Sequence, residues 1–113
     1  MENTQLKKPS NIWIQKEYLL EFKMLSTLEK LIKLARNRKS SPVEGSYTNK
    51  LLSDKSLSKA KVLEEVDELI EAIEEDTNKI HEAADVFYHL LMYLEANDVK
   101  IEDVMAELDK RKK

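Results

Sequence analysis

Apolar residues recur at helical spacing in four stretches of the chain. Each stretch repeats them three or four positions apart, as one face of an α-helix requires. The pattern predicts helices over about residues 16–38, 56–75, 78–96 and 101–111. The first is expected to end before SSPVEGS, where Pro42 and Gly45 interrupt helical structure. We expect KSSPVEGSYTNK to be a loop.

The third predicted helix is apolar around almost its whole circumference. At roughly 100° per residue, only a narrow polar strip remains, and Glu82, Asp85 and His89 occupy it. Carboxylates are rarely buried unless they are paired or bind a metal. The two acids are therefore expected to face a cation.

Helices joined by short connections predict an all-α antiparallel bundle of about four helices. Three neighbours of this length do not cover a helix that is apolar all round, so we expect dimerisation to complete the bundle. The predicted assembly is a homodimer or a higher homo-oligomer. Residues 1–24 are interpreted as an N-terminal extension, and residues 25–113 as the helical domain.

Composition narrows the class of protein. The 113 residues suffice for one domain, and the apolar fraction of 42% with 36% charged residues is typical of a globular protein. One glycine and two prolines argue against an all-β fold. The absence of cysteine excludes disulfides and thiolate chemistry. A net charge of −3 disfavours nucleic-acid binding, and no membrane span or signal peptide is evident, so we expect a cytoplasmic protein.

The second predicted helix carries most of the acidic residues. Glu64, Glu68, Glu71 and Glu75 fall on one line, opposite the apolar stripe, and Glu65 lies close to it. Taken alone, these acids are interpreted as a solvated face. If they face the third helix, however, five acids form an oxygen-rich cluster: Glu64, Glu65, Glu68, Glu82 and Asp85.

Clustered carboxylates repel one another unless a divalent cation neutralises them. Oxygen ligands without cysteine favour Mg²⁺, with Mn²⁺ as a substitute, over zinc. Because Mg²⁺ usually binds together with phosphates, the expected substrate is a polyphosphate. The competing interpretation of Glu82 and Asp85 is a buried ion pair with lysine or arginine.

Hydroxyl and basic groups near the predicted loop suit phosphate oxygens. Lys61 is positioned to orient the carboxylates or to bind phosphate. Tyr88 is a core residue or a base-stacking residue, and a lone histidine such as His89 is more often a hydrogen-bonded core residue than a metal ligand. The predicted substrate-binding residues are Arg38, Ser46, Tyr47, Thr48, Lys50, Lys61, Tyr88 and His89.

Four strings in order, GSYTNKLL, AKVLEEVDELIEA, EAADVFYHLLMYL and IEDVMAEL, resemble the phosphoribosyl-ATP pyrophosphatase family. This family belongs to the all-α NTP pyrophosphatase superfamily with the MazG-type enzymes. The resemblance covers about residues 28–112. The superfamily signature ExxE…ExxD corresponds to Glu65 and Glu68, then Glu82 and Asp85. Many bacterial members have glycine where this chain has Leu63.

The resemblance implies hydrolysis of phosphoribosyl-ATP to phosphoribosyl-AMP and pyrophosphate, a step of histidine biosynthesis. Mg²⁺ held by the five acids would neutralise the phosphates, and Glu64 or Glu65 would accept the proton of the attacking water. Some relatives carry a second, cysteine-containing cyclohydrolase domain, so we expect only the pyrophosphatase step from this cysteine-free sequence of 113 residues. Two alternatives remain: a MazG-like pyrophosphatase acting on (d)NTPs, and a catalytically silent helical dimerisation module.

Overall fold

The structure is a computed structural model that describes residues 12–112, with side chains from Ser26 onward. It contains five helices and no strand within these residues: α1 (Ile12–Ser40), α2 (Tyr47–Ser53), α3 (Lys55–Glu75), α4 (Lys79–Ala96) and α5 (Ile101–Lys110). The all-α prediction is confirmed. Residues 1–11 of the predicted N-terminal extension lie outside the described part.

The described residues belong to two compact units, divided between residues 31 and 32. In the first unit, the backbone is helical from Ile12 onward. The second unit contains the remainder of α1 and all of α2–α5. None of the helices described between residues 12 and 112 is long and apolar enough to cross a membrane.

The main difference from the predicted elements is α2. Residues 47–50 belong to the segment that we expected to be a loop, but they form the first part of this short helix. Gly45 precedes this helix with a φ of +82°, a conformation that favours glycine. The Ser46 side chain then accepts a hydrogen bond from the backbone N–H of Asn49 at 3.2 Å. This N-cap satisfies a donor that the first turn would otherwise leave unpaired.

Aspartates set the limits of α3. The Asp54 carboxylate accepts a hydrogen bond from the backbone N–H of Leu57 at 3.0 Å, so it caps α3 directly after α2 ends. At the other end, Asp76 adopts the left-handed conformation with a φ of 58°, which stops the helix. The chain reverses there and α4 returns along α3, which is the most extensive contact between helices.

The packing of α4 differs from the sequence-based interpretation in its orientation. Its polar strip points inward, where His89 is buried and Glu82 and Asp85 are half-buried. Ile80, Phe87 and Leu90, from the apolar circumference of α4, lie on the outside. We define the outer apolar face as the exposed residues Leu63, Ile70 and Ile73 of α3 and Ile80, Phe87 and Leu90 of α4, which are between 41% and 88% exposed.

An ion-pair network ties the end of α1 to α4 and α5. The Arg36 guanidinium contacts the carboxylate of buried Glu95 at 3.0 Å and that of Glu102 at 2.6 Å. Lys39 donates to the backbone carbonyl of Glu95 at 2.7 Å and to Asp98 at 2.9 Å. The network holds the pKa of Glu102 at about 2, chiefly through the Arg36 hydrogen bond. It fixes the α1 terminus from which Arg38 projects.

Candidate active site

Five carboxylates from α3 and α4 converge on one place. Oxygen atoms of Glu64, Glu65 and Glu68 lie within 4.8 Å of one another, and so do those of Glu65, Glu82 and Asp85. We call these the α3 triad and the mixed triad. Glu65 belongs to both, so all five acids identified in the sequence form one continuous cluster. The other acids of the α3 line, Glu71 and Glu75, are exposed and outside both triads.

Glu65 is the most deeply placed acid of the cluster. It is 6% exposed, whereas Glu82 and Asp85 are half-buried. The expectation that the two α4 acids would be the buried pair is therefore corrected. They face α3, as expected. The apolar side chains of α4 that we expected to surround them lie instead on the outer side of that helix. Packing of α3 against α4 buries Glu65 instead.

Two oxygens of the cluster have no hydrogen-bond partner. These are Oε1 of Glu65 and Oε1 of Glu82, both buried. A buried carboxylate oxygen without a partner is costly because it has lost its hydration. Two such atoms in the mixed triad fit a site for a divalent cation bound by oxygen ligands.

The charges around the cluster leave a negative excess. Lys61 is 3.2 Å from Glu64 and 3.5 Å from Glu65, but it offers one positive charge to five acids. Among the side chains described in residues 26–112, no lysine or arginine is salt-bridged to Glu82 or Asp85. His81, which the sequence analysis missed, is 3.4 Å from Asp85. Because His81 lies four residues before Asp85 on the same helix, this contact could have been predicted from the sequence.

The pKa of the Glu68 carboxyl group is raised. The main cause is the negative charge of Glu65, followed by partial desolvation and by the charge of Glu82. Repulsion between like charges disfavours ionisation of a carboxyl group. Neutralising charge supplied to the cluster would relieve that repulsion.

A second group of predicted residues joins α2 to α4. The Tyr47 hydroxyl lies 3.0 Å from Nε2 of His89, and the buried Thr48 hydroxyl lies 2.5 Å from the Tyr88 hydroxyl. The rings of Tyr47 and Tyr88 are nearly parallel, with centroids 6.4 Å apart. His89 is outside both carboxylate triads, in agreement with its interpretation as a hydrogen-bonded core residue.

The remaining predicted residues lie around the start of α2. The Arg38 guanidinium donates to the Ser46 hydroxyl at 2.7 Å. Ser46, Tyr47 and Lys50 line an open cavity of about 770 Å³, completed by Pro42, Val43, Glu44, Gly45, Asn49 and Ser53. Tyr47 lines this cavity, and its hydroxyl is also within electrostatic range of Lys61, Glu65 and Glu64.

Comparison with known proteins identifies the family. The profile of the family "Phosphoribosyl-ATP pyrophosphohydrolase" matches residues 25–112. A protein of Clostridium acetobutylicum named phosphoribosyl-ATP pyrophosphatase is 43% identical over an alignment of 88 residues, which covers 74% of this chain and 79% of that protein. A protein of Halobacterium salinarum with the same name is 38% identical over 95 residues, covering 79% of this chain and 100% of its own length.

A longer relative matches over part of its length. The histidine biosynthesis bifunctional protein HisIE of Pyrococcus furiosus is 42% identical over 90 residues, which are 79% of this chain but 43% of that protein. No match was found among solved structures. The family profile covers both helices that carry the carboxylates, and the chain belongs to the phosphoribosyl-ATP pyrophosphohydrolase family.

Proposed function

We propose that this protein hydrolyses phosphoribosyl-ATP to phosphoribosyl-AMP and pyrophosphate, in histidine biosynthesis. Family membership supports the reaction class and substrate. The structural observation that carries the proposal is the carboxylate cluster, in which Glu65 and Glu82 each have one buried oxygen without a partner. We propose the cytoplasm as its compartment, because its nucleotide substrate is an intracellular metabolite.

We further propose that Mg²⁺, or Mn²⁺ in its place, is held by the five acids, with Glu65 shared between two subsites. Bound there, the ion would supply positive charge against the negative charge that accumulates on the phosphates during the reaction. The cationic side chains Arg38, Lys50 and Lys61 contribute further charge toward phosphate oxygens. The Arg38 guanidinium has N–H donors besides the one bonded to Ser46, so it can bind Ser46 and a phosphate oxygen at the same time.

The reaction requires water to attack a phosphorus atom next to the anhydride bridge. The new P–O bond forms as the bridging P–O bond breaks, and pyrophosphate leaves with the electron pair of that bond. The proton of the water passes to a carboxylate, for which Glu64 is the better placed of the two acids considered. Its side chain is 51% exposed and therefore open to water, whereas Glu65 is shared by both triads.

The deciding experiment measures pyrophosphate release from phosphoribosyl-ATP beside a panel of (d)NTPs, with and without Mg²⁺. We expect release from phosphoribosyl-ATP that requires Mg²⁺ and is lost in Asp85→Asn. Faster release from ordinary or damaged (d)NTPs would favour the MazG-like alternative. No release from any of these substrates would favour the silent dimerisation module.

We also propose that a second copy of this chain covers the outer apolar face. Monomeric proteins in solution rarely leave so many large apolar side chains exposed on two adjacent helices. Two-fold symmetric dimers are the commonest homo-oligomers, and they bury the same patch on both copies. Such a dimer completes the bundle that the apolar pattern of α4 requires.

A further inference from the structure

A chain of hydrogen bonds runs from α2 to the backbone of α4. Nδ1 of His89 lies 2.8 Å from the backbone carbonyl oxygen of Asp85, and Nε2 lies 3.0 Å from the Tyr47 hydroxyl. A carbonyl oxygen can only accept, so Nδ1 carries the proton and donates it. In a neutral imidazole Nε2 is then an acceptor. The Tyr47 hydroxyl therefore donates its single proton to His89.

This direction limits what Tyr47 can offer a ligand. A tyrosine hydroxyl has one proton, and here it is directed into the protein. Burial raises the pKa of Tyr47, which keeps the hydroxyl protonated and able to donate to His89. Only the lone pairs of the oxygen remain for a ligand. The oxygens of an ionised pyrophosphate group also only accept, so they do not match this hydroxyl as it is held.

The position of Tyr47 makes the restriction relevant to binding. Its side chain is 45% exposed and lines the open cavity beside Lys50. Its hydroxyl also lies within the electrostatic influence of Lys61, Glu65 and Glu64. A nucleotide whose phosphates lie at the carboxylate cluster would have its nucleoside part within reach of this cavity. That part carries hydrogen-bond donors, the sugar hydroxyls and the exocyclic amine.

We propose that His89 is a positioning residue that holds the Tyr47 hydroxyl as a hydrogen-bond acceptor for a donor on the nucleoside part of the substrate. Tyr47 then recognises the nucleoside, and the cationic residues and carboxylate cluster recognise the phosphates. This changes the expectation that the Tyr47 hydroxyl binds phosphate oxygens. The inference rests on the proposed function for the identity of the nucleotide.

The test measures inhibition of the full-length protein, with Mg²⁺ present, by each part of the substrate separately. Inorganic pyrophosphate has no nucleoside, and adenosine has no phosphate. For Tyr47→Phe we expect adenosine inhibition weakened about two- to tenfold, the effect of one hydrogen bond, with pyrophosphate inhibition unchanged. Tyr93→Phe, on α4 but outside the site, is the control and should change neither. Weaker inhibition by pyrophosphate in Tyr47→Phe would overturn the assignment.

The role of His89 needs its own variants. We expect Tyr47→Phe to raise the KM for the nucleotide with little change in kcat. His89→Leu removes the acceptor and should have the same effect. His89→Gln offers an amide oxygen to the Tyr47 hydroxyl and should recover much of the wild-type KM. In the double variant Tyr47→Phe/His89→Leu the two effects should not add. Full additivity, or no recovery with glutamine, would refute the positioning role.

Two measurements keep this inference distinct from the proposed function and from misfolding. Circular dichroism checks the helical content of each variant, and Tyr47→Phe decides the nucleoside assignment even if His89 variants unfold. Calorimetric binding of adenosine and of pyrophosphate requires no turnover. If the wild type fails to hydrolyse phosphoribosyl-ATP, the proposed function fails, while the binding contrast in Tyr47→Phe still decides the inference.

Discussion

Glu65→Gln gives the sharpest test of the carboxylate cluster, because Glu65 is the one acid shared by both triads. The substitution keeps the size of the side chain and removes its charge. Glu71→Gln is the matched control, since it neutralises an exposed acid of the same helix that is outside both triads. Any effect of net charge alone should be equal in the two variants.

The expected magnitude follows from binding linkage. With Mg²⁺ at about 100 times its dissociation constant, binding stabilises the folded protein by about 2.7 kcal/mol. For a domain of this size that corresponds to a rise in Tm of about 10–20 °C. Loss of an outer-shell partner alone weakens metal binding by about 10–100-fold, so loss of a shared ligand should weaken it by at least about 100-fold. The remaining stabilisation is then about 0.4 kcal/mol, or about 2–3 °C.

Thermal unfolding followed by circular dichroism measures the shift, with EDTA or Mg²⁺ at equal ionic strength. We expect the wild type and Glu71→Gln to gain the full shift and Glu65→Gln to lose most of it. The Glu68 carboxyl group gives a second readout by NMR titration. Because Glu65 is the main cause of its raised pKa, that pKa should fall toward its ordinary value in Glu65→Gln. A full Mg²⁺ shift in Glu65→Gln would refute the shared-ligand assignment.

Three further predictions follow from the fold and the site. Because the folded protein retains the Glu68 proton to higher pH than the unfolded chain, this group lowers stability as pH rises above about 4.5. In EDTA, the Tm of Glu68→Gln minus that of the wild type should therefore increase over this range, and parallel curves would contradict it. Arg36→Met should lower the free energy of unfolding in urea by about 1–2 kcal/mol, because it removes a partner of buried Glu95 at a partly exposed site. Arg111→Met removes one side of an exposed pair and should lower that free energy by about 0.5 kcal/mol or less. Equal costs would argue against the network as a structural tie. Phe87→Glu places a charge on the outer apolar face and should give a monomer by light scattering, and an undisturbed dimer would exclude this face as the interface.

The helices could be predicted because their causes are local. The periodicity of apolar residues gave three of the helices to within about one residue at each end, and Pro42 and Gly45 marked the end of the first. The short helix α2 escaped prediction because seven residues are too few for a periodic pattern. Its stability comes instead from the Ser46 cap and from packing of buried Leu51 and Leu52.

The acids of the site could also be identified from spacing, but their relative burial could not. Glu82 and Asp85 stood out because they interrupt an apolar helix, whereas Glu65 looked like part of a solvated line. Burial depends on which side of each helix faces its neighbour. That rotation is decided by packing between helices and leaves no trace in the periodicity of one helix alone.

The sequence by itself determined the all-α class, the positions of the long helices and the five acids, because the spacing of side chains on one helix follows from helix geometry. Only the tertiary structure decided that Glu65 joins two triads and that Tyr47 meets His89, 42 positions along the chain. It also decided that the polar strip of α4 faces inward and that Ile80, Phe87 and Leu90 lie on the outside. These are relations between helices, and they are fixed by the rotation and register at which α2, α3 and α4 pack.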